Sequence, residues 1–132
     1  MDMQQGRQMP DTRILLIEDE ATSRELLSYV LTSAGYAVDA VETAAAAMTN
    51  LEATAYKVVI ADWLLPDGNG IDLADRAAQL GAKTFIVSGY LIGLPAGAAE
   101  RHILFKKPVR PEELVAAVEQ AMNSPNPPAS SP

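Results

Sequence analysis

The sequence predicts an α/β fold, a parallel sheet with helices on both faces, and three observations carry that prediction. Short apolar runs alternate with helical patterns along the whole central part of the 132-residue chain, in five successive βα units. The main runs, such as Ile14-Leu15-Leu16-Ile17 and Val58-Val59-Ile60-Ala61, are continuously apolar, as strands buried on both faces are. Polar residues collect just after several of these runs, at the edge where open α/β sheets place ligands and chemistry.

The first run is Ile14 to Ile17. Leu26, Leu27, Val30 and Leu31 then share one face of a helix that ends at Gly35, and Thr22 with Glu25 fits a capping box at its start. The second run is Ala37 to Val41. Its helix carries Ala44, Ala47, Met48 and Leu51 on one face, with Thr43 as N-cap. The third run, Lys57 to Ala61, meets Asp62 and then the Pro/Gly/Asn-rich turn Trp63 to Gly70. Ile71, Ala74, Ala78 and Leu80 mark the third helix, which Gly81 ends. Asp72, Asp75 and Arg76 read as its solvated face. The fourth run is Thr84 to Val87. Gly89, Gly93, Pro95 and Gly97 interrupt the next segment, so a short or irregular fourth helix near Leu94 to Arg101, or a loop, is expected. The fifth run is His102 to Phe105. Leu114, Val115, Val118 and Met122 mark the last helix, with Pro111 in its first turn. Residues 1–12 and the Pro/Ser-rich tail 124–132 read as disordered, which leaves 13–123 as one folded domain.

Composition excludes several classes. With no cysteine there is neither a disulfide nor a thiolate metal site. No apolar run reaches the roughly 20 residues of a membrane helix, and residues 1–12 lack a signal-peptide core, so a cytoplasmic protein without a membrane role is expected. The net charge of -7, with no basic cluster, argues against direct nucleic-acid binding.

The polar residues at the active edge form a chemical kit. Glu18, Asp19 and Glu20 follow the first run, Asp62 the third, Ser88 the fourth, and Lys106-Lys107-Pro108 the fifth. Clustered carboxylates repel unless a cation shares them, and oxygen ligands suit Mg²⁺ or Mn²⁺. A carboxylate can attack phosphorus to form an acyl phosphate, while a metal, an ammonium and a hydroxyl neutralise the transferring group. Singly, each residue has a plain reading: helix N-terminal charge, turn former, loop serine, solvated lysine. Together, in this order, they do not. His102, the only histidine, has no partner for a metal site and reads as a strand-edge or surface residue, and Trp63 as packing beside the site.

Ile17-Glu18-Asp19-Glu20, Asp62-Trp63-Leu64-Leu65-Pro66-Asp67-Gly68-Asn69-Gly70, Val87-Ser88-Gly89 and Lys107-Pro108, taken in sequence, resemble a response-regulator receiver domain of a two-component phosphorelay, from about Arg13 to Met122. The resemblance implies a flavodoxin-like (βα)5 doubly wound sheet, five parallel strands in the order 2-1-3-4-5. It implies that Asp62 is the phosphoacceptor, that Asp19 and Asp62 ligate Mg²⁺ (or Mn²⁺) directly and Glu18 through water, and that the Leu64 carbonyl completes the protein ligands. Ser88 takes the switch position, Lys107 pairs with the phosphate, and the Lys107–Pro108 bond is cis. The partner is a histidine kinase or histidine phosphotransfer protein; the domain catalyses only its own phosphorylation and dephosphorylation.

The chain departs from the family pattern where the fifth strand normally carries an aromatic three residues before the lysine. Leu104 stands there and Phe105 falls on the opposite face, so Tyr90, two residues after Ser88, is the aromatic available for output. The short Gly-rich fourth helix is a second departure. The expected function is a phosphorylation-dependent switch that signals by protein contact, as a single-domain regulator or as a receiver excised from a larger protein. The alternatives are a binding-only pseudo-receiver, against which the intact acid, hydroxyl and lysine set argues, and an aspartyl-nucleophile phosphohydrolase. The latter needs an acid two residues after the nucleophile, where this chain has Leu64.

Overall fold

In the computed structural model, which describes residues 12–124, the elements run β1 (Arg13–Ile17), α1 (Ala21–Ser33), β2 (Ala37–Val41), α2 (Ala44–Ala53), β3 (Val58–Asp62), β4 (Leu64–Leu65), β5 (Gly68–Asn69), α3 (Gly70–Gln79), β6 (Lys83–Ser88), α4 (Ala98–Arg101), β7 (Ile103–Lys106) and α5 (Pro111–Asn123). The main sheet has the order β2-β1-β3-β6-β7, with every pairing parallel. This is the 2-1-3-4-5 order expected, with β6 and β7 as the fourth and fifth strands. The continuous apolar runs place β1 and β3 at its centre, where side chains alternate between two cores. Leu15, Ile17, Val59, Ala61 and Ile86 face α2 and α3; Ile14, Leu16, Val58, Ile60, Phe85 and Val87 face α1 and α5.

Helix boundaries follow their local chemistry. Thr43 caps α2, its hydroxyl accepting from the Ala46 N–H, and Pro111 opens α5. Gly35 and Gly81, just past α1 and α3, take the left-handed conformation that ends helices cheaply. The N-cap of α1 is Glu20, whose carboxylate accepts from the Ser23 N–H at 2.8 Å, rather than Thr22, which lies inside the first turn. The helix starts two residues sooner than the Thr22–Glu25 spacing suggested, because Glu20 already has the extended backbone a cap needs.

Four further expectations are corrected. Helix α3 buries Ile71, Leu73, Ala74 and Ala77, while Ala78 and Leu80 face solvent. In an alanine-rich helix the small side chains do not mark one face sharply. Leu26 and Met48 likewise lie on the outer sides of α1 and α2. The turn after β3 contains a two-residue antiparallel ladder, β4 with β5, inside what reads locally as loop. Helix α4 is a single turn, as its glycines and Pro95 led us to expect. Thr12 is buried, its carbonyl accepting from the Ala37 N–H, and Ser124, though exposed, accepts at its carbonyl from the Lys83 ammonium. The disorder expected for the remaining terminal residues, 1–11 and 125–132, lies outside the described residues.

Candidate functional site

Glu18, Asp19 and Asp62 each bring a carboxylate oxygen within 4.8 Å of the others. Parallel pairing makes this possible, because the register Ile17↔Ala61 brings the ends of β1 and β3 side by side. Glu18 and Asp62 are buried and Asp19 is exposed. Lys107, just past β7, reaches between the two buried acids: its ammonium is 3.2 Å from Glu18 Oε1 and 3.2 Å from Asp62 Oδ1. The Lys107 N–H donates to the Ser88 carbonyl, which locks the ends of β6 and β7 together. The Lys107–Pro108 peptide bond is cis.

Charge in this cleft is tightly coupled. The Asp62 carboxyl is pushed up to about 8, first by burial and then by the hydrogen bond and charge of Glu18, with Lys107 pulling the other way. Burial alone would lower the Lys107 pKa, but the Asp62 and Glu18 carboxylates raise it. Although Asp62 Oδ1 lies within ion-pair distance of Lys107, it is buried with no aligned hydrogen bond. A buried carboxylate oxygen left in that condition is costly unless a cation or proton reaches it. The cluster of hard oxygen donors is therefore consistent with a Mg²⁺ site.

The loop after β3 is built around Asp62. Gly70 packs so closely on it that a Cβ there would lie far inside contact distance of the Asp62 carbonyl oxygen. The Trp63 N–H donates to the Val87 carbonyl, and the Gly70 N–H donates to the Trp63 carbonyl. Asp67 at the loop tip accepts from the Ala44 and Ala45 N–H groups at 2.7 and 3.0 Å, which caps α2 from outside and holds the Asp67 carboxyl below its usual range. The sequence reading did not single out this role. An Asp before Gly in a turn carries no local sign of a helix start 23 residues earlier.

The remaining expected site residues divide. Ser88 ends β6 and is buried, its hydroxyl accepting from the Tyr90 N–H at 3.1 Å. Leu64 sits in β4, exposed, two residues beyond Asp62. Tyr90 is 70% exposed and Ile92 88%, so the β6–α4 loop offers apolar surface to solvent. Leu104 packs on the α3 side, and Phe105 packs on the opposite core with its ring centroid 6.1 Å from that of Phe85.

His102 is not a surface residue. Its ring is fully buried, with Nδ1 2.6 Å from Thr84 Oγ1 and Nε2 2.7 Å from Asp75 Oδ1. Arg101 grips the same carboxylate through Nε and Nη2 at 2.9 and 3.1 Å. Burial alone would raise the Asp75 pKa, but the Arg101 and His102 hydrogen bonds bring it below the ordinary value. Asp75 is therefore a tie between α3, α4 and β6 rather than a solvated helix residue. Residues 27 apart in sequence leave no periodic signal of such a contact.

The response regulator receiver domain family matches residues 14–119. This chain belongs to that family. Curated relatives include the DNA-binding response regulator MtrA of Mycobacterium leprae, 34% identical over 80% of this chain and 49% of MtrA, and the phosphate regulon transcriptional regulatory protein PhoB of Escherichia coli, 30% identical over 83% of this chain and 51% of PhoB. The chain spans about half the length of these relatives. Among solved structures, a response regulator receiver protein from Sinorhizobium medicae superposes with a TM-score of 0.75 at 28% identity, over 86% of this chain and 95% of that one. The response regulator TrrA of Thermotoga maritima, in complex with Mg²⁺-BeF, gives 0.73 at 27% identity, over 83% and 97%. Receiver domains are signalling modules of two-component systems that work with histidine kinases, not enzymes acting on a separate substrate. Among the described residues, no helix is long and apolar enough to cross a membrane.

Proposed function

We propose that this receiver is a phosphorylation-dependent switch with Asp62 as phosphoacceptor, charged by a histidine kinase or histidine phosphotransfer protein and acting through protein contact. The observation that carries this reading is the Asp62 carboxylate: buried, without an aligned hydrogen bond on Oδ1, and beside both two further acids and an ammonium. Asp62 would attack phosphorus, forming one P–O bond as the bond from phosphorus to the donor's imidazole nitrogen breaks and the imidazole leaves. Glu18, Asp19, Asp62 and the Leu64 carbonyl would hold Mg²⁺ (or Mn²⁺), which supplies positive charge against the phosphoryl oxygens. Lys107 would pair with one phosphoryl oxygen, and the Ser88 hydroxyl would leave the Tyr90 N–H to donate to another. That exchange would give the β6–α4 loop its reason to move, with Tyr90 as the exposed aromatic that reports the change to a partner. The output of this switch is protein contact, in contrast to the DNA binding named for MtrA, and its location is cytoplasmic.

The test is intact-mass measurement after incubation with acetyl phosphate, with and without a chelator. One added phosphoryl group that requires a divalent cation and disappears in Asp62→Asn is expected. Persistence of that mass in Asp62→Asn would sink the assignment.

A further inference from the structure

The acid cluster stands on backbone that has just left the sheet, and one side chain outside the cluster holds it there. The Glu18 N–H makes the last ladder bond, to the Val41 carbonyl of β2. Beyond this point strand pairing offers the Glu18 carbonyl no partner, and Glu18 is only 1% exposed, so water is a poor substitute. Arg24, on the first turns of α1, reaches back and donates from Nη1 to that carbonyl at 2.9 Å. The same nitrogen is 3.6 Å from the Glu42 carboxylate just past β2. The Glu18 side chain is pinned separately, Oε2 accepting from the Glu20 N–H at 3.0 Å. Asp19, between these two anchored residues, makes no hydrogen bond or ion pair of its own among the described residues, so its carboxylate goes where the backbone puts it.

We infer that Arg24 is a positioning residue for the cation site: by clamping the Glu18 carbonyl it fixes the turn that aims Glu18 and Asp19 at Asp62. The inference rests on the proposed reading of the cluster as a Mg²⁺ site. Two effects of removing Arg24 have opposite signs, which makes the role separable from plain electrostatics. Loss of a guanidinium near three acids should tighten Mg²⁺ binding, because the cation then meets less repulsion. Loss of a clamp should weaken binding, because the acids must be ordered at the cation's expense.

The test is calorimetric titration of the full chain with Mg²⁺, with folding followed by circular dichroism. Arg24→Ala is expected to weaken Mg²⁺ binding by about tenfold, the low end of what losing a group that orients a metal ligand costs. Arg24→Lys keeps the charge and one donor, so it should recover part of that loss. Glu42→Gln removes only the outer anchor and should change affinity by about twofold or less, as exposed ion pairs contribute little. Unchanged or tighter binding in a folded Arg24→Ala protein overturns the inference, as does Arg24→Lys behaving no better than alanine. Should Arg24→Ala not fold, Arg24→Lys decides it: weaker Mg²⁺ binding than wild type in a folded protein supports the inference, and wild-type or tighter binding overturns it. A wild-type chain that binds no Mg²⁺ would instead remove the reading beneath it.

Discussion

At the scale of single residues, Asp62 joins the chemistry to folding. Its carboxyl is ordinarily ionised above about 4, but the fold pushes its pKa to about 8. Between those values the folded chain holds a proton that the unfolded chain releases. This contribution to stability is therefore fully present below the ordinary carboxyl value and is lost as pH rises through about 8. In a chelator, thermal midpoints should fall between about pH 5 and about pH 8 more steeply for the wild type than for Asp62→Asn, which has nothing to titrate at this position; parallel curves would contradict it. Gly70 belongs to the same scale. Because a Cβ there runs into the Asp62 carbonyl, Gly70→Ala must displace either α3 or the nucleophile. Its expected signature is a large loss of phosphorylation by acetyl phosphate in a protein that still melts cooperatively, and full phosphorylation of Gly70→Ala would show that the loop gives way harmlessly.

At the scale of elements, the single-turn α4 is too short to be stable by itself, since helix nucleation is unfavourable and a 4-residue segment barely repays it. It is held from outside, by Arg101 and Asp75 at the surface and by His102 with Thr84 and Asp75 beneath. Replacing His102 with Ala leaves a cavity and strands the Thr84 hydroxyl, which should cost about 2–3 kcal/mol in chemical denaturation. Asp75→Asn should weaken the same anchor, and its effect should not add to that of His102→Ala, because both break one network. Additive losses would mean that the two contacts are independent. This network also marks where sequence reading stops. Apolar runs, terminal glycines and the Thr43 cap are local signals, and the parallel sheet could be read from them. The acids, Ser88 and Lys107 could be found because each sits at the end of a strand or just beyond it, so recognising the strands located the cluster. The Asp75–His102 pair and the Asp67 cap on α2 join segments distant in the chain, and their residue types look the same in a solvated loop or helix. The α3 face was misplaced for a related reason, since alanines at successive positions leave the helical phase undetermined.

At the scale of the whole molecule, signalling needs two arrangements that a phosphoryl group can tell apart. The segment from β6 to β7 begins at the Ser88 hydroxyl, ends at the anchored His102, and exposes Tyr90 and Ile92 between them. Hydrogen exchange with and without beryllofluoride should therefore differ most within residues 89–101, and Tyr90→Ala should impair partner binding while Asp62 is still phosphorylated. A difference centred on α1 or α2 would place the output elsewhere. The sheet adds a mechanical condition. β7 is an outermost strand, paired only with β6, yet Lys107 just past its end reaches beyond β6 to carboxylates at the ends of β1 and β3. The ammonium thus acts as a rivet through the rim of the sheet, so peeling the rim and unbalancing the charge at the centre are a single event.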